Sequence, residues 1–180
     1  HEAQILVDLN PQSYSREWRE SASELAIVVG ASAAAHLLES RQTVGVALNG
    51  LDPFRLGGRR GSRSAEARRR AGARYPQIPM GRGRGHLMRV LDLLARVELL
   101  EGTEPGDLIS TGSIGLPFGS TLLVVTGLRS EGLLAALVGQ RKLGHRVVAV
   151  FTDPLAANLS AGAARAAGLT AFAITSKERA

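Results

Sequence analysis

The sequence holds few residues whose type and spacing could do chemistry, and the first is an acid near the start. In Ile5-Leu6-Val7-Asp8 an apolar run stops at a carboxylate, and Leu9-Asn10-Pro11-Gln12-Ser13 follows, polar or turn-forming apart from Leu9. A carboxylate at the end of a short strand is placed either to hold a hard cation or to accept hydrogen bonds from the backbone N–H groups of the turn. Other constellations are thin. The four histidines are His1, His36, His86 and His145, and no two have metal-ligand spacing. No serine sits in a GxSxG elbow. No GxGxxG follows a strand and there is no Walker loop, so dinucleotide and ATP sites of those kinds are not expected. The GRGRG at 81–85 has the look of a phosphate loop, yet no clear strand precedes it, and it reads better as a hinge into a helix. No two carboxylates three or four apart fall where a cleft is expected. The absence of cysteine excludes a disulfide scaffold, a thiol nucleophile and thiolate-held zinc or iron–sulfur sites.

These residues must be positioned by regular elements, and the hydrophobic pattern predicts them. Strands are expected at 4–9, 43–48, 121–126, 146–152 and 170–175, with a short edge strand near Ala73–Ile78, where Pro76 would confine it to an edge. Helices are expected at 15–39, 86–98, 131–143 and 155–167, with a short one within 108–120 after a turn at 101–107. Ser15 is expected to cap the first helix and Ser130 the one at 131, with Gly144 ending the latter. Trp18, Ala22, Leu25 and Val29 share a face of the first helix. From Leu25 to Leu38 it is apolar nearly all round and is expected to be deeply buried. Alternation of strands and helices predicts an α/β fold: a doubly wound, mostly parallel open sheet with helices on both faces, Rossmann-like in its three layers. The continuous apolar runs LLVV and VVAV agree, because a strand covered on both faces needs no polar alternation.

The chain has 180 residues, enough for one full-sized domain, 1–180, with an Arg-rich excursion over about 53–85. No apolar run approaches the roughly 20 residues that span a bilayer. The chain enters a strand almost at once, and it is expected to be a piece of a longer protein whose membrane anchor could lie upstream. The net charge of +6 is uneven: Arg55 to Arg89 contains 11 arginines and one acid, Glu66, while the remainder is net negative. Arg59, Arg60, Arg63, Arg68, Arg69, Arg70, Arg82 and Arg84 form a candidate basic patch. A solvated loop is the favoured account of it.

The acid closing the first strand, the long helix after it and the element order together resemble a von Willebrand factor A-like domain. The segments PMGRGRGHLMRVLDLLARVE and LPFGSTLLVVTGL are similar to an uncharacterised bacterial branch of that family, often encoded beside MoxR-type AAA+ ATPases. The resemblance implies strand order 3-2-1-4-5-6 and a binding module rather than an enzyme. The family's metal-ion-dependent adhesion site holds Mg²⁺ through D-x-S-x-S after the first strand, a Thr from a later loop and an Asp after the fourth strand. Here Asp8 is present, Asn10 and Gln12 stand at the two Ser positions, the Thr loop falls around Gly83–Gly85, and the final Asp falls near Gly127. If a metal bound, Asp8, Asn10 and Gln12 would be its ligands. One carboxylate is little charge for tight Mg²⁺ binding, so no cofactor is expected.

The partner-binding surface is therefore expected at the strand ends, with Asp8, Asn10, Gln12, Ser13, Thr126 and Arg129, the last a candidate to neutralise Asp8 in place of a cation. The leading expectation is a non-enzymatic protein–protein interaction module with a degenerate adhesion site. It would be cytoplasmic, or the cytoplasmic domain of a membrane-anchored protein, and would work with a MoxR-type AAA+ ATPase in protein assembly or maturation. The alternative is nucleic-acid or anionic-surface binding through 55–89, although no DNA- or RNA-binding motif appears. A hydrolase with polar groups gathered around Asp8 is a third.

Overall fold

Apolar runs become the strands β1 (Glu2–Val7), β2 (Thr43–Leu48), β3 (Gln77–Gly81), β4 (Thr121–Thr126), β5 (Arg146–Phe151) and β6 (Thr170–Ala173) in the computed structural model. It describes residues 2–56, 75–102, 104–128 and 130–175. Between the strands lie α1 (Arg19–Glu39), α2 (Arg84–Arg96), α3 (Pro105–Gly112), α4 (Glu131–Lys142) and α5 (Ala157–Ala166), with short 3-10 turns at Pro11–Ser13 and Pro53–Leu56. The strands form one sheet in the order β3-β2-β1-β4-β5-β6, parallel except for β3, which runs antiparallel to β2 at one edge. This is the expected strand order and the expected fold class.

Period-two alternation sorts the strand side chains between the two faces. Ile5, Val7, Val46, Leu48 and Val125 pack with α1 and α2. Leu6, Leu122, Val124, Ala149 and Phe151 pack with Leu108 and Ile109 of α3, Leu133 and Leu137 of α4, and Ala157, Ala161 and Ala164 of α5. The fully buried Ile, Leu and Val side chains each contribute about 1.5–3 kcal/mol relative to exposure. Every side chain of β1 from Ala3 to Val7 is buried, so the strand end carrying Asp8 grows out of the core.

Several expectations need correction. Helix α1 starts at Arg19, not at 15, and Trp18 stands at its N-cap without a side-chain cap bond. Its buried residues are Ala22, Ser23, Ala26, Gly30, Ala34 and Leu38, while Leu25 and Val29 are only half-buried and Val28 is 56% exposed. Small residues let the helix lie close on the sheet: a Cβ on Gly30 would come within 2.8 Å of Val7 Cγ2. By length and composition α1 could also cross a membrane, which the apolar-run count missed. Here its small-residue stripe is packed against the sheet. Strand β3 lies at 77–81, later than expected, and the proline within it is Pro79, tolerated on an edge. Helix α3 begins at Pro105, whose fixed φ and missing N–H suit a first helical position. The Gly81–Gly85 stretch does lead into a helix, although β3 directly precedes it, contrary to the expectation of no strand there: Gly83 takes φ 81° at the N-cap of α2, and Gly81 leaves room for the His86 ring. His86 is buried, with Nε2 2.7 Å from the Val44 carbonyl oxygen.

The chain between β2 and β3 is clamped where it leaves the sheet. Asp52, 2% exposed, accepts from Arg96 Nε at 2.9 Å and from its terminal nitrogen at 3.1 Å, and Arg96 also lies 5.5 Å over the Phe54 ring. Leu51 and Glu98 exchange backbone hydrogen bonds beside it. Arg96→Ala should cost about 2 kcal/mol in urea unfolding, since a buried carboxylate loses a charge-assisted two-point partner. A loss under about 0.5 kcal/mol would mean that the bond is solvent-compensated.

Candidate functional site

The ends of β1, β2, β4 and β5 converge on one edge of the sheet, where a doubly wound fold places its ligands. Asp8, completely buried, is the first residue beyond β1. Its Oδ1 accepts from the Asn49 Nδ2 group at 2.7 Å and from the Asn10 backbone N–H at 3.0 Å, and Thr126 Oγ1 donates to its Oδ2 at 2.7 Å. The Asn10 bond is the turn expected of an acid at a strand end. Asn49 follows β2 and works twice, because its Oδ1 also accepts from the Leu9 backbone N–H. The Tyr14 hydroxyl donates to the Asp8 carbonyl oxygen.

Two electrostatic consequences follow. Burial pushes the Asp8 carboxyl above its ordinary value. Hydrogen bonds from Ser13, Asn49, Thr126 and the Asn10 backbone pull it back, and burial wins. Tyr14 is held well above its ordinary value, first by burial and then by the charges of Asp8 and Asp153. A second buried acid, Asp153, therefore lies near. Its Oδ2 accepts from both the backbone N–H and the hydroxyl of Ser15 at 2.6 Å, and its Oδ1 accepts from the Leu155 N–H at 3.0 Å. Ser15, expected to cap α1, is spent here instead. Thr152 Oγ1 donates to the Ala22 carbonyl of α1 at 2.9 Å.

Of the residues singled out in the sequence, Asp8, Asn10, Ser13 and Thr126 are brought together and buried. Asn10 Oδ1 accepts from the Gln12 N–H at 3.0 Å, closing the Pro11–Ser13 turn, and Gln12 itself is exposed. Arg129 lies outside the described residues, as do Arg59, Arg60, Arg63, Arg68, Arg69 and Arg70. Arg82 and Arg84 are exposed, and Arg82 Nε donates to Thr43 Oγ1 at 2.6 Å. Asn49, Tyr14 and Asp153 were not named as site residues, and Ser15 was named only as a helix cap. Asn49 and Asp153 share one signal with Asp8, a polar residue at or near the end of an apolar run, while Tyr14 and Ser15 carry none.

Two open clefts flank the start of α4 on this edge. One, about 440 Å³, lies between Leu128, Glu131, Ala156 and Leu159. The other, about 450 Å³, lies between Glu104, Asp107, Ser130 and Leu133. Glu104 and Asp107 are carboxylates three apart at a cleft, contrary to the expectation that no such pair would be found.

No family model matches this sequence, and no curated protein matches it. Solved structures do. BatB, a conserved hypothetical protein from Bacteroides thetaiotaomicron, aligns at TM-score 0.56 and 11% identity over 98% of this chain and 91% of its own. The VWA domain of SpRpn10 aligns at 0.55 and 11%, over 99% and 90%. An aerotolerance-related membrane protein from Bacteroides fragilis NCTC 9343, solved with multiple mutations to serines, aligns at 0.50 and 13% over 83% of this chain. The chain spans 66% of that structure's length. The fold is thus von Willebrand factor A-like, a mostly parallel three-layer α/β domain.

Since folded Asp8 holds its proton more tightly than the unfolded chain does, its contribution to stability is fullest below the ordinary carboxylate value and is lost as pH rises through the raised one. The stability of the native chain minus that of Asp8→Asn should therefore fall with rising pH above about pH 4. Urea titrations across the acid range check this. A difference that rises with pH would mean that the hydrogen bonds outweigh burial.

Proposed function

We propose that the chain is a non-enzymatic protein–protein interaction module whose strand-end edge is a degenerate metal-ion-dependent adhesion site. The observation that carries it is the complete enclosure of Asp8. Mg²⁺ needs an octahedral oxygen shell, keeps several waters and is held by carboxylates with open access. Asp8 instead faces N–H and O–H donors on both oxygens and has no exposed surface. Gly127, near which the family's second acid would fall, has no room for a side chain, since a Cβ there would run into the Ser13 carbonyl and the Tyr14 ring. Among the described residues no three His, Cys, Asp or Glu gather as a metal site. This donor set does not fit Mg²⁺.

Calorimetric titration should accordingly give no saturable micromolar Mg²⁺ binding, with either the native chain or Gly127→Asp. That substitution should cost about 1–3 kcal/mol through overpacking. Saturable binding abolished by Asp8→Ala would sink the degenerate-site reading.

The sequence resemblance supports a MoxR-type AAA+ ATPase as partner, in protein assembly or maturation, with the domain on the cytoplasmic side. The likeness to an aerotolerance-related membrane protein is compatible with a membrane-anchored parent. Cross-linking of the intact parent protein with a MoxR-type ATPase of the same cell should trap the strand-end edge of this domain. A mixture that yields no cross-link under conditions where the ATPase assembles would reject that partner.

A further inference from the structure

The two clefts beside α4 differ from the sealed ground around Asp8, because they are open and exposed side chains of Glu104, Asp107, Glu131 and Leu159 line them. Between them stands Ser130, whose Oγ accepts from the Leu133 N–H and caps α4. The first cleft is mainly apolar: Leu128 and Ala156 line it, with Leu159 at 75% exposure, and Leu155 beside it is 61% exposed. Glu131 stands at its rim, exposed, and Glu104 and Asp107 continue the acidic margin into the second cleft. Among the described residues none of the three carboxylates has a hydrogen bond or ion pair, and no Lys or Arg lines either cleft. Glu104 is the N-cap residue of α3, yet its side chain makes no capping bond.

Acids in a first helical turn suit the helix dipole, so part of their charge is already answered. A helix N-terminus is worth roughly half a positive charge. The starts of α3 and α4 together offset roughly one of the three negative charges. Among the described residues the margin therefore keeps a net charge of about −2. An apolar hollow with an unanswered negative margin is complementary to an apolar side chain accompanied by a cation, and it repels an acidic segment.

We propose that these clefts are one docking surface for a segment of a partner protein that pairs leucine-like side chains with lysine or arginine. The apolar side chain seats against Leu128, Ala156 and Leu159, and the basic group meets Glu131, Asp107 and Glu104. The proposal rests on the interaction-module reading and gives it a partner chemistry.

The test uses fluorescein-labelled synthetic peptides read by anisotropy: one alternating leucine and arginine, one with serine replacing leucine, one with glutamate replacing arginine. The leucine–arginine peptide should bind saturably, and each of the other two at least about tenfold more weakly, a difference of about 1.4 kcal/mol. Leu159→Ser should weaken it to a similar degree, and the double change Glu131→Gln with Asp107→Asn severalfold. All three positions are exposed, so the fold should survive each change, which circular dichroism checks. The equal charge change Glu24→Gln with Glu39→Gln, on exposed positions of α1, should leave binding unaltered. Equal binding of the serine peptide, or equal loss in the α1 control, would reduce the effect to bulk charge and overturn the proposal. Self-association of the chain that Glu131→Gln abolishes would overturn it in favour of a second copy as occupant. If the peptide fails while the ATPase cross-link forms elsewhere on the domain, only the docking surface is lost; if both fail, the interaction-module reading falls with it.

Discussion

A single buried carboxylate organises the edge of this sheet. Removing an ion from water costs several kcal/mol unless close partners replace its hydration. Asp8 obtains them from three separate segments, its own turn at Asn10, Asn49 after β2 and Thr126 at the end of β4. Satisfying the charge therefore means holding three strand ends in register. Asn49 extends the arrangement by accepting from Leu9, and Tyr14 by donating to the Asp8 carbonyl. At the acid where the family resemblance implies a cation, both carboxylate oxygens accept hydrogen bonds from the chain.

The same edge thus divides into two regimes. Around Asp8 and Asp153 every described carboxylate oxygen faces a donor of the chain itself, so this ground is committed to internal order. A few residues further on, beyond β4 and β5, the loops open and large apolar side chains stand in water. The hydrophobic effect gives those exposed leucines a reason to be covered, whereas the buried polar centre has none left.

Much of the layout was legible because it depends on periodicity. Apolar runs at 43–48 and 121–126 sit where they were expected, the strand expected at 146–152 ends one residue earlier, and the turn chemistry of Ser130 and Gly144 bounded α4 correctly. The errors have a common physical cause: a local signal was outbid by a tertiary one. Ser15 has the chemistry of a helix cap, but Asp153, 138 residues away, takes its hydroxyl and its N–H. Leu25 and Val29 look like the buried face of α1, but close approach to the sheet favours alanine and glycine there. Of the site, Asp8 could be found from its place at the end of an apolar run. Ser15 could not, because only long-range folding brings it to Asp153, and Tyr14, six residues from Asp8, stands in no periodic or turn signal that marks it.

The small-residue stripe of α1 has a mechanical side. A helix presenting alanine after alanine to a sheet has a smooth track, and a slip of four residues, about 6 Å, would exchange one alanine for the next. Two contacts index it. Gly30 sits over the Val7 methyl, where no Cβ would fit, and the Ala22 carbonyl is pinned by the Thr152 hydroxyl. Val7 immediately precedes Asp8, and Thr152 immediately precedes Asp153. The axial position of the longest helix is thus keyed to the two residues that lead into the buried acids, and any displacement of that helix would be felt first at the strand ends.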